Sequence, residues 1–252
     1  MRYFMELSYD GGRYNGWQIQ NNAPSIQEEL QKGLSMLLRQ NISVTGAGRT
    51  DTGVHAAFYV AHFDSEKVIE NPKDTCYHLN KILPHDIAVS AIYQVCDEAH
   101  ARFDAKEREY RYFMVNRKNP FKDRHAWLYH GELDVEQMNR AAEALLRHED
   151  FTSFAKLNSG NKTNICHIKK ALWQPTEDGY VFIIRADRFL RNMVRALTGT
   201  LVDVGRGKIS PERFEEIIEA RDLSLSSSFA PAQGLFLYDV VYDKLGGALT
   251  KH

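Results

Sequence analysis

The chain has 252 residues, of which 43% are hydrophobic and 26% charged. That is enough for one large domain or two of about half the length, and too apolar for a disordered chain. The net charge of −1 does not demand a polyanionic partner, although nucleic acid needs only a local basic face. No apolar run approaches a membrane span and "MRYFMELSYD" lacks a signal peptide's apolar stretch, so a cytoplasmic location is expected.

Residues 2–9 alternate, with Tyr3, Met5, Leu7 and Tyr9 on one side, which predicts a strand. A loop, "DGGRYNGWQIQNNAP", follows. Ser25 with Glu28 three residues on has the form of a capping box. Ile26, Leu30, Leu34, Leu37 and Leu38 then predict a helix over 25–39. Strand patterns return at 42–46, at 54–63 and at 87–95, with a short helix over 72–82 that stops at Pro84.

A second half begins near residue 105. In "REYRYFMVN" (108–116), Tyr110, Tyr112 and Met114 share one strand face and Arg111, Phe113 and Val115 the other. Asp134 caps a helix carrying Val135, Met138, Ala141, Ala142, Leu145 and Leu146. Strands are expected at 165–174 and 179–186, then a helix from 188 to about 204. Ser210-Pro211 opens another helix, proline being well placed in a first turn. A strand at 234–243 closes the chain, while "NSGNKTN" (158–164) and "SLSSS" (224–228) read as loops. The expectation is an α+β fold with halves 1–105 and 106–252 that are compatible with a related pair.

The segment "GAGRTDTGVHA" from Gly46 holds one carboxylate, Asp51, between glycines at 46, 48 and 53. Glycines permit unusual backbone angles and close ligand approach. Arg49 lies near enough in sequence to fold onto Asp51, keeping it ionised and oriented for use as a nucleophile or base. The plain alternative is a tight turn with a surface ion pair. Asp51-Thr52-Gly53 also spells the DTG of aspartic proteases, but those enzymes need two such carboxylates sharing a proton. This chain has no second DTG or DSG, and its tripeptide follows Arg-Thr.

In "RADRFLRNMVRALTG" (185–199), helical projection puts Arg188, Arg191 and Arg195 within about 60° of one another. Met193, Ala196, Leu197 and Leu201 take the opposite side. The predicted cationic face suits phosphate, with Arg185, Arg13, Lys106, Arg108 and Arg111 as candidates to widen it. A tyrosine at a strand end can lay its ring on a base; pattern alone does not choose between Tyr110 and Tyr112, though core packing is expected for Tyr112. Cys76, Cys96 and Cys166 form no CxxC and are expected to be buried or inert. His55 and His62, seven apart, are weak grounds for a metal site, and none is expected.

Together these segments resemble the tRNA pseudouridine synthase A family. "GAGRTDTGVHA" is similar to its catalytic segment, and "YDGGRYNGWQIQ" (9–20), "SIQEEL" (25–30), "LNKILPHDIAV" (79–89), "HARFDAKEREYRY" (100–112), "DFTSF" (150–154), "FLRNMVRALTG" (189–199) and "GLFLYDV" (234–240) follow in the family's order. Thr52 departs from the alanine frequent there. The resemblance implies two related halves with mainly antiparallel sheets flanked by helices and an active-site cleft between them. It implies isomerisation of uridines 38–40 in the anticodon stem-loop of tRNA to pseudouridine, by a cytoplasmic homodimer without cofactor or metal.

Carried over by motif, Asp51 would be the nucleophile, attacking the ribose, forming a glycal or, in an older scheme, attacking the uracil. Arg49 would hold Asp51 and help keep the base out of the stack. Tyr110 would stack on the uracil and serve proton transfer at its carbon five, and Leu235 would wall the flipped base. Arg195 would hold RNA, with Arg188, Arg191 and Asn80 as further RNA contacts. A catalytically silent tRNA-binding module or chaperone is the alternative reading.

Overall fold

The computed structural model describes residues 1–156 and 162–243; the loop reading at 158–164 falls largely outside them. The chain divides into two compact units, one of Met1–Glu107 with the chain from Leu237 onward, the other Arg108–Phe236. In the first lie β1 (Arg2–Tyr9), α1 (Ile26–Leu38), β2 (Val44–Gly46), β3 (His55–Asp64), α2 (Pro72–Ile82) and β4 (Ile87–Val95). β1 is central, antiparallel to β4 on one side and to β3 on the other, with Leu7 opposite Val89 and Tyr59.

Local chemistry sets the helix starts. The Ser25 hydroxyl accepts from the Glu28 N–H at 3.3 Å, and the Asn71 side chain accepts from the Asp74 N–H at 3.1 Å ahead of Pro72. α1 ends where Arg39 takes a left-handed conformation, and α2 ends before Pro84, where the ring bars continuation. The Asn80 amide then fastens α2 to β4, donating to the Val89 carbonyl at 2.7 Å and accepting from the Val89 N–H at 2.8 Å.

The second unit holds most of β5 (Ala105–Val115), then β6 (Trp127–Leu128), α3 (Val135–Ala144), β7 (Ile168–Thr176), β8 (Gly179–Ala186), α4 (Met193–Gly205) and α5 (Pro211–Ala220). β8 is antiparallel to both β5 and β7. β9 (Leu235–Tyr242) closes the described chain, and its residues from Leu237 lie beside β3 in the first unit. Asp134 and Ser210 cap α3 and α5 as expected. Asn139 repeats the device of Asn80, bonding both the N–H and the carbonyl of Trp173 on β7. Trp173 stacks on Phe182 at 4.9 Å, and both are buried. The architecture is α+β with mostly antiparallel strands flanked by helices, and no described helix is long and apolar enough to cross a membrane.

Three expectations are corrected. The helix placed from residue 188 starts only at Met193, because Asn192 sits at φ 65 and a left-handed residue cannot continue a right-handed helix. Leu146 lies beyond α3 and is half exposed rather than core. Cys96 is exposed, whereas Cys76 and Cys166 are buried. The two-residue β6 was too short to leave a pattern.

Phe4 is buried on the face of β1 opposite Tyr3 and Met5, in a cluster with Val60, Ala99 and Ala101 that Tyr93 and Tyr242 flank. His62 closes this cluster, its Nδ1 accepting from the Ala101 N–H at 3.1 Å beside the His100 ring. Burial first, then Arg2 and His100, lowers its pKa from 6.5 to about 4. The unfolded chain thus takes up this proton near pH 6.5 and the folded chain only near pH 4. Stability is full above that window and falls as pH drops through it, by about 3 kcal/mol in all. Urea midpoints measured from pH 7 to pH 4 are expected to show this loss, and His62→Gln is expected to flatten it.

Candidate active site

Asp51 stands in the turn between β2 and β3, and that turn is held by backbone. The Trp17 N–H donates to the Thr50 carbonyl at 3.2 Å, and the Gly53 N–H to the Tyr14 carbonyl at 3.3 Å. Within the turn the Val54 N–H bonds the Asp51 carbonyl at 3.1 Å, and upstream the Ala47 N–H reaches the Val60 carbonyl at 2.8 Å. Thr50 is buried and shares a 2.9 Å hydrogen bond with the Tyr9 hydroxyl. The Tyr59 hydroxyl donates to the Gly48 carbonyl. Below lies an aromatic cluster in which Trp17 stacks on Tyr59 at 4.2 Å and Tyr9 meets Tyr59 at 5.6 Å.

Two glycines make the approach possible. Gly16, at φ 87, lies so close to the turn that a Cβ would stand 2.3 Å from the Thr50 carbonyl oxygen. At Gly46 a Cβ would come within 2.6 Å of the Trp17 ring. Asp51 itself is half-buried. Its main chain is fixed in advance, so little reorganisation accompanies its use as a nucleophile or base. His55, just beyond the turn, is engaged structurally: its Nδ1 accepts from the Gly11 N–H at 3.1 Å. His62, an odd seven residues on along β3, serves the Phe4 cluster instead.

The expected fold-back of Arg49 onto Asp51 is absent. Arg49 is exposed and makes no hydrogen bond or ion pair with the described residues. Thr50 between them turns inward to Tyr9, and nothing draws the arginine down. The guanidinium is therefore available to an anion from outside.

In the second unit, Tyr110 is half-buried at the middle of β5 rather than at a strand end, opposite Ile184, with the Phe189 ring edge-on at 5.2 Å. Tyr112 is fully buried, as expected, and donates to the Pro231 carbonyl at 2.7 Å. Just before them Glu109 is buried, which the sequence pattern did not suggest. It accepts from Arg111 at 3.0 Å and from Arg185 at 3.1 and 2.7 Å. Burial pushes its carboxyl upward, but these two arginines outweigh burial and hold it below its usual value. The triad stays ionised and braces the backbone on one side of Tyr110. A signal existed: an acid at an inward position of a strand demands a cation.

The cationic helix face does not form. Arg188 and Arg191 precede α4, and only Arg195 lies on it, while Met193, Ala196, Leu197 and Leu201 are buried as predicted. The Asp187 carboxylate accepts from the N–H groups of Arg188 at 2.7 Å and His167 at 2.8 Å, which diverts the chain from helix before Asn192. Arg195 donates to the Ala230 carbonyl at 2.7 Å. The three cations thus gather at the approach to the helix N-terminus, where no acidic residue occupies the first turn. That end carries positive dipole as well, so the region suits an anion.

The other proposed patch members are engaged. Arg13 pairs with Asp86, Lys106 with Asp243, Arg111 and Arg185 with Glu109, and Arg108 donates to the Asp187 carbonyl. Asn80 is likewise occupied by Val89, which makes it a fastener of α2 rather than an outward-reaching group. Leu235 opens β9 and is only 4% exposed, after a glycine whose Cβ would strike the Tyr112 ring.

The chain is similar to proteins of one family. A family model described as tRNA pseudouridine synthase matches residues 141–243. The chain is 51% identical over 244 residues to a protein named tRNA pseudouridine synthase A from Bacteroides thetaiotaomicron, covering 96% of this chain and 90% of that one. It is 47% identical to the protein of that name from Parabacteroides distasonis, covering 96% of each. With the Bacillus subtilis protein of that name the identity is 41%, over 96% of this chain and the whole relative.

Gly16→Ala tests the close approach beneath Asp51. A methyl group there meets backbone rather than a yielding side chain, and φ 87 is strained for alanine. The expected result is a loss of about 1–3 kcal/mol in denaturant unfolding, whereas Gly12→Ala, beside a flexible carboxylate, loses far less.

Proposed function

Because the chain belongs to the tRNA pseudouridine synthase A family and is an isomerase that converts uridine to pseudouridine in tRNA, we propose that Asp51 is its nucleophile and that its targets are uridines of the anticodon stem-loop. The observation that carries this reading is a half-buried Asp51 on a turn pinned by Tyr14 and Trp17. A protein that only held RNA would gain nothing from an acid fixed toward a polyanion.

The reaction conserves every atom. The bond from N1 of uracil to C1′ of the ribose breaks, the base turns over, and C5 bonds to C1′. The C5 proton then leaves and N1 gains one. Asp51 either attacks C1′, forming an ester that the uracil C5 displaces, or removes the C2′ proton to give a glycal. Both routes need an ionised, oriented carboxylate and a base outside its stack, and extrusion costs on the order of a few kcal/mol. Tyr110 stacks on the uracil and serves proton transfer at C5. Leu235, almost wholly buried, offers a firm apolar edge. Arg49, having no partner among the described residues, meets the phosphate or the base's vacated place.

Arg188, Arg191 and Arg195 receive backbone phosphates at the approach to α4. Counterion release makes such contacts salt-dependent. The reaction as written uses only groups of the chain and the RNA, in the cytoplasm where tRNA is at work.

With unmodified tRNA labelled with tritium at uridine C5, Asp51→Ala is expected to lose tritium release by on the order of a thousand-fold or more, with an unchanged circular dichroism spectrum. Release near the wild-type rate would remove Asp51 from the chemistry. We further propose a homodimer, for which sedimentation should give twice the chain mass of 29.0 kDa; a monomer at micromolar concentration would end that proposal.

A further inference from the structure

The segment 116–125, "NRKNPFKDRH", joins β5 to β6 in the second unit. Its middle residue, Phe121, is 90% exposed, the most exposed large apolar side chain among the described residues. A lone apolar ring in water is ordinary by itself; what sets this one apart is the loop that carries it. The loop beneath it is well built. Asn119 accepts from the Phe121 N–H at 3.0 Å through its side chain and from the Lys122 N–H at 3.0 Å through its carbonyl. The His125 N–H bonds the Lys122 carbonyl at 2.9 Å. Lys122 reaches both oxygens of the buried Asp178 carboxylate at 2.8 Å, and the Asn116 N–H donates to the Asp178 carbonyl at 2.9 Å. β6 pairs with Met114 and Val115 at the far end. The phenyl ring is therefore held outward by its neighbours.

The exposed charges of the segment are mostly positive. Arg117, Lys118 and Arg124 are exposed and make no ion pair with the described residues, and Asp123 is the single acid in the segment. An exposed aromatic ring in a segment with three exposed cations that make no ion pair with the described residues fits nucleic acid, with the ring against a base face and the cations on adjacent phosphates. From Tyr110 to Val115 the strand alone rises about 17 Å, so this loop would meet RNA several nucleotides from a uridine stacked on Tyr110.

We propose that the 116–125 loop is a second RNA contact, in which Phe121 stacks on an unpaired base of the tRNA while Arg117, Lys118 and Arg124 hold its flanking phosphates. This rests on the tRNA reading above and adds to it a contact that governs affinity rather than chemistry.

The test combines filter binding of unmodified tRNA with steady-state tritium release, using the full chain. Phe121→Ala is expected to raise Kd and KM on the order of ten-fold while kcat stays within about two-fold. Phe121→Trp is expected to retain wild-type affinity, and Phe121→Leu, apolar without a π face, to behave as alanine does. Replacing Arg117, Lys118 and Arg124 together by alanine should reduce the slope of log affinity against log salt by about 2–3. Wild-type Kd in Phe121→Ala, or full affinity in Phe121→Leu, would overturn the stacking contact. So would a change in sedimentation with Phe121→Ala, which would assign the ring to a second copy of the chain. Absence of tritium release from the wild type would defeat the reaction itself, and the Kd comparison would still decide the loop.

Discussion

The constraint on which the active-site reading depends is the seating of the turn at 46–54 on the segment 9–17. Backbone bonds from Trp17 to Thr50 and from Gly53 to Tyr14 fix the main chain on both sides of Asp51. The shared hydroxyl bond of Thr50 and Tyr9 turns residue 50 inward. Aromatic rings fill the space beneath, and Gly16 lets the two segments touch. A carboxylate proposed as a nucleophile gains most from such rigidity, because its main chain is settled before substrate arrives. Without it the residue would be an acid on a loose loop, with neither direction nor partial burial.

Within each unit the cations are sorted by what holds them. Glu109 takes up Arg111 and Arg185, and Asp86 and Asp243 engage Arg13 and Lys106. These pairs serve the fold and offer little to a visiting phosphate. Arg49, Arg188, Arg117, Lys118 and Arg124 have no ion pair among the described residues. A net charge of −1 conceals this division, since the total counts paired and unpaired cations alike. A cation already held by an acid has less to offer a phosphate than one that is not.

Each unit also uses one asparagine in the same manner. Asn80 on α2 and Asn139 on α3 both close onto the N–H and carbonyl of one strand residue, Val89 and Trp173 respectively. The amide completes backbone groups that would otherwise lack a strand neighbour and fixes the helix against its sheet. A polar residue on a helix face can thus resemble a ligand contact in the sequence and prove to be a fastening.

Much was legible in the residues alone. Alternation marked β1 and β5, caps at Ser25, Asp134 and Ser210 marked three helix starts, and inward spacing marked Met193, Ala196, Leu197 and Leu201 as core. These are local properties, since dihedral preference, capping and burial period act within a few residues. The segment "GAGRTDTGVHA" likewise singled out Asp51. What tertiary structure decided was every pairing across distance. Asp187, brought to His167 by the β7–β8 sheet, bonds the Arg188 N–H and, with the left-handed Asn192, ends the helical stripe that projection had drawn. Arg49 was near Asp51 in sequence yet unpaired with it, while Glu109 met Arg185 from another strand. A side chain's partner depends on which segments lie beside it, and that information belongs to the folded chain rather than to spacing along it.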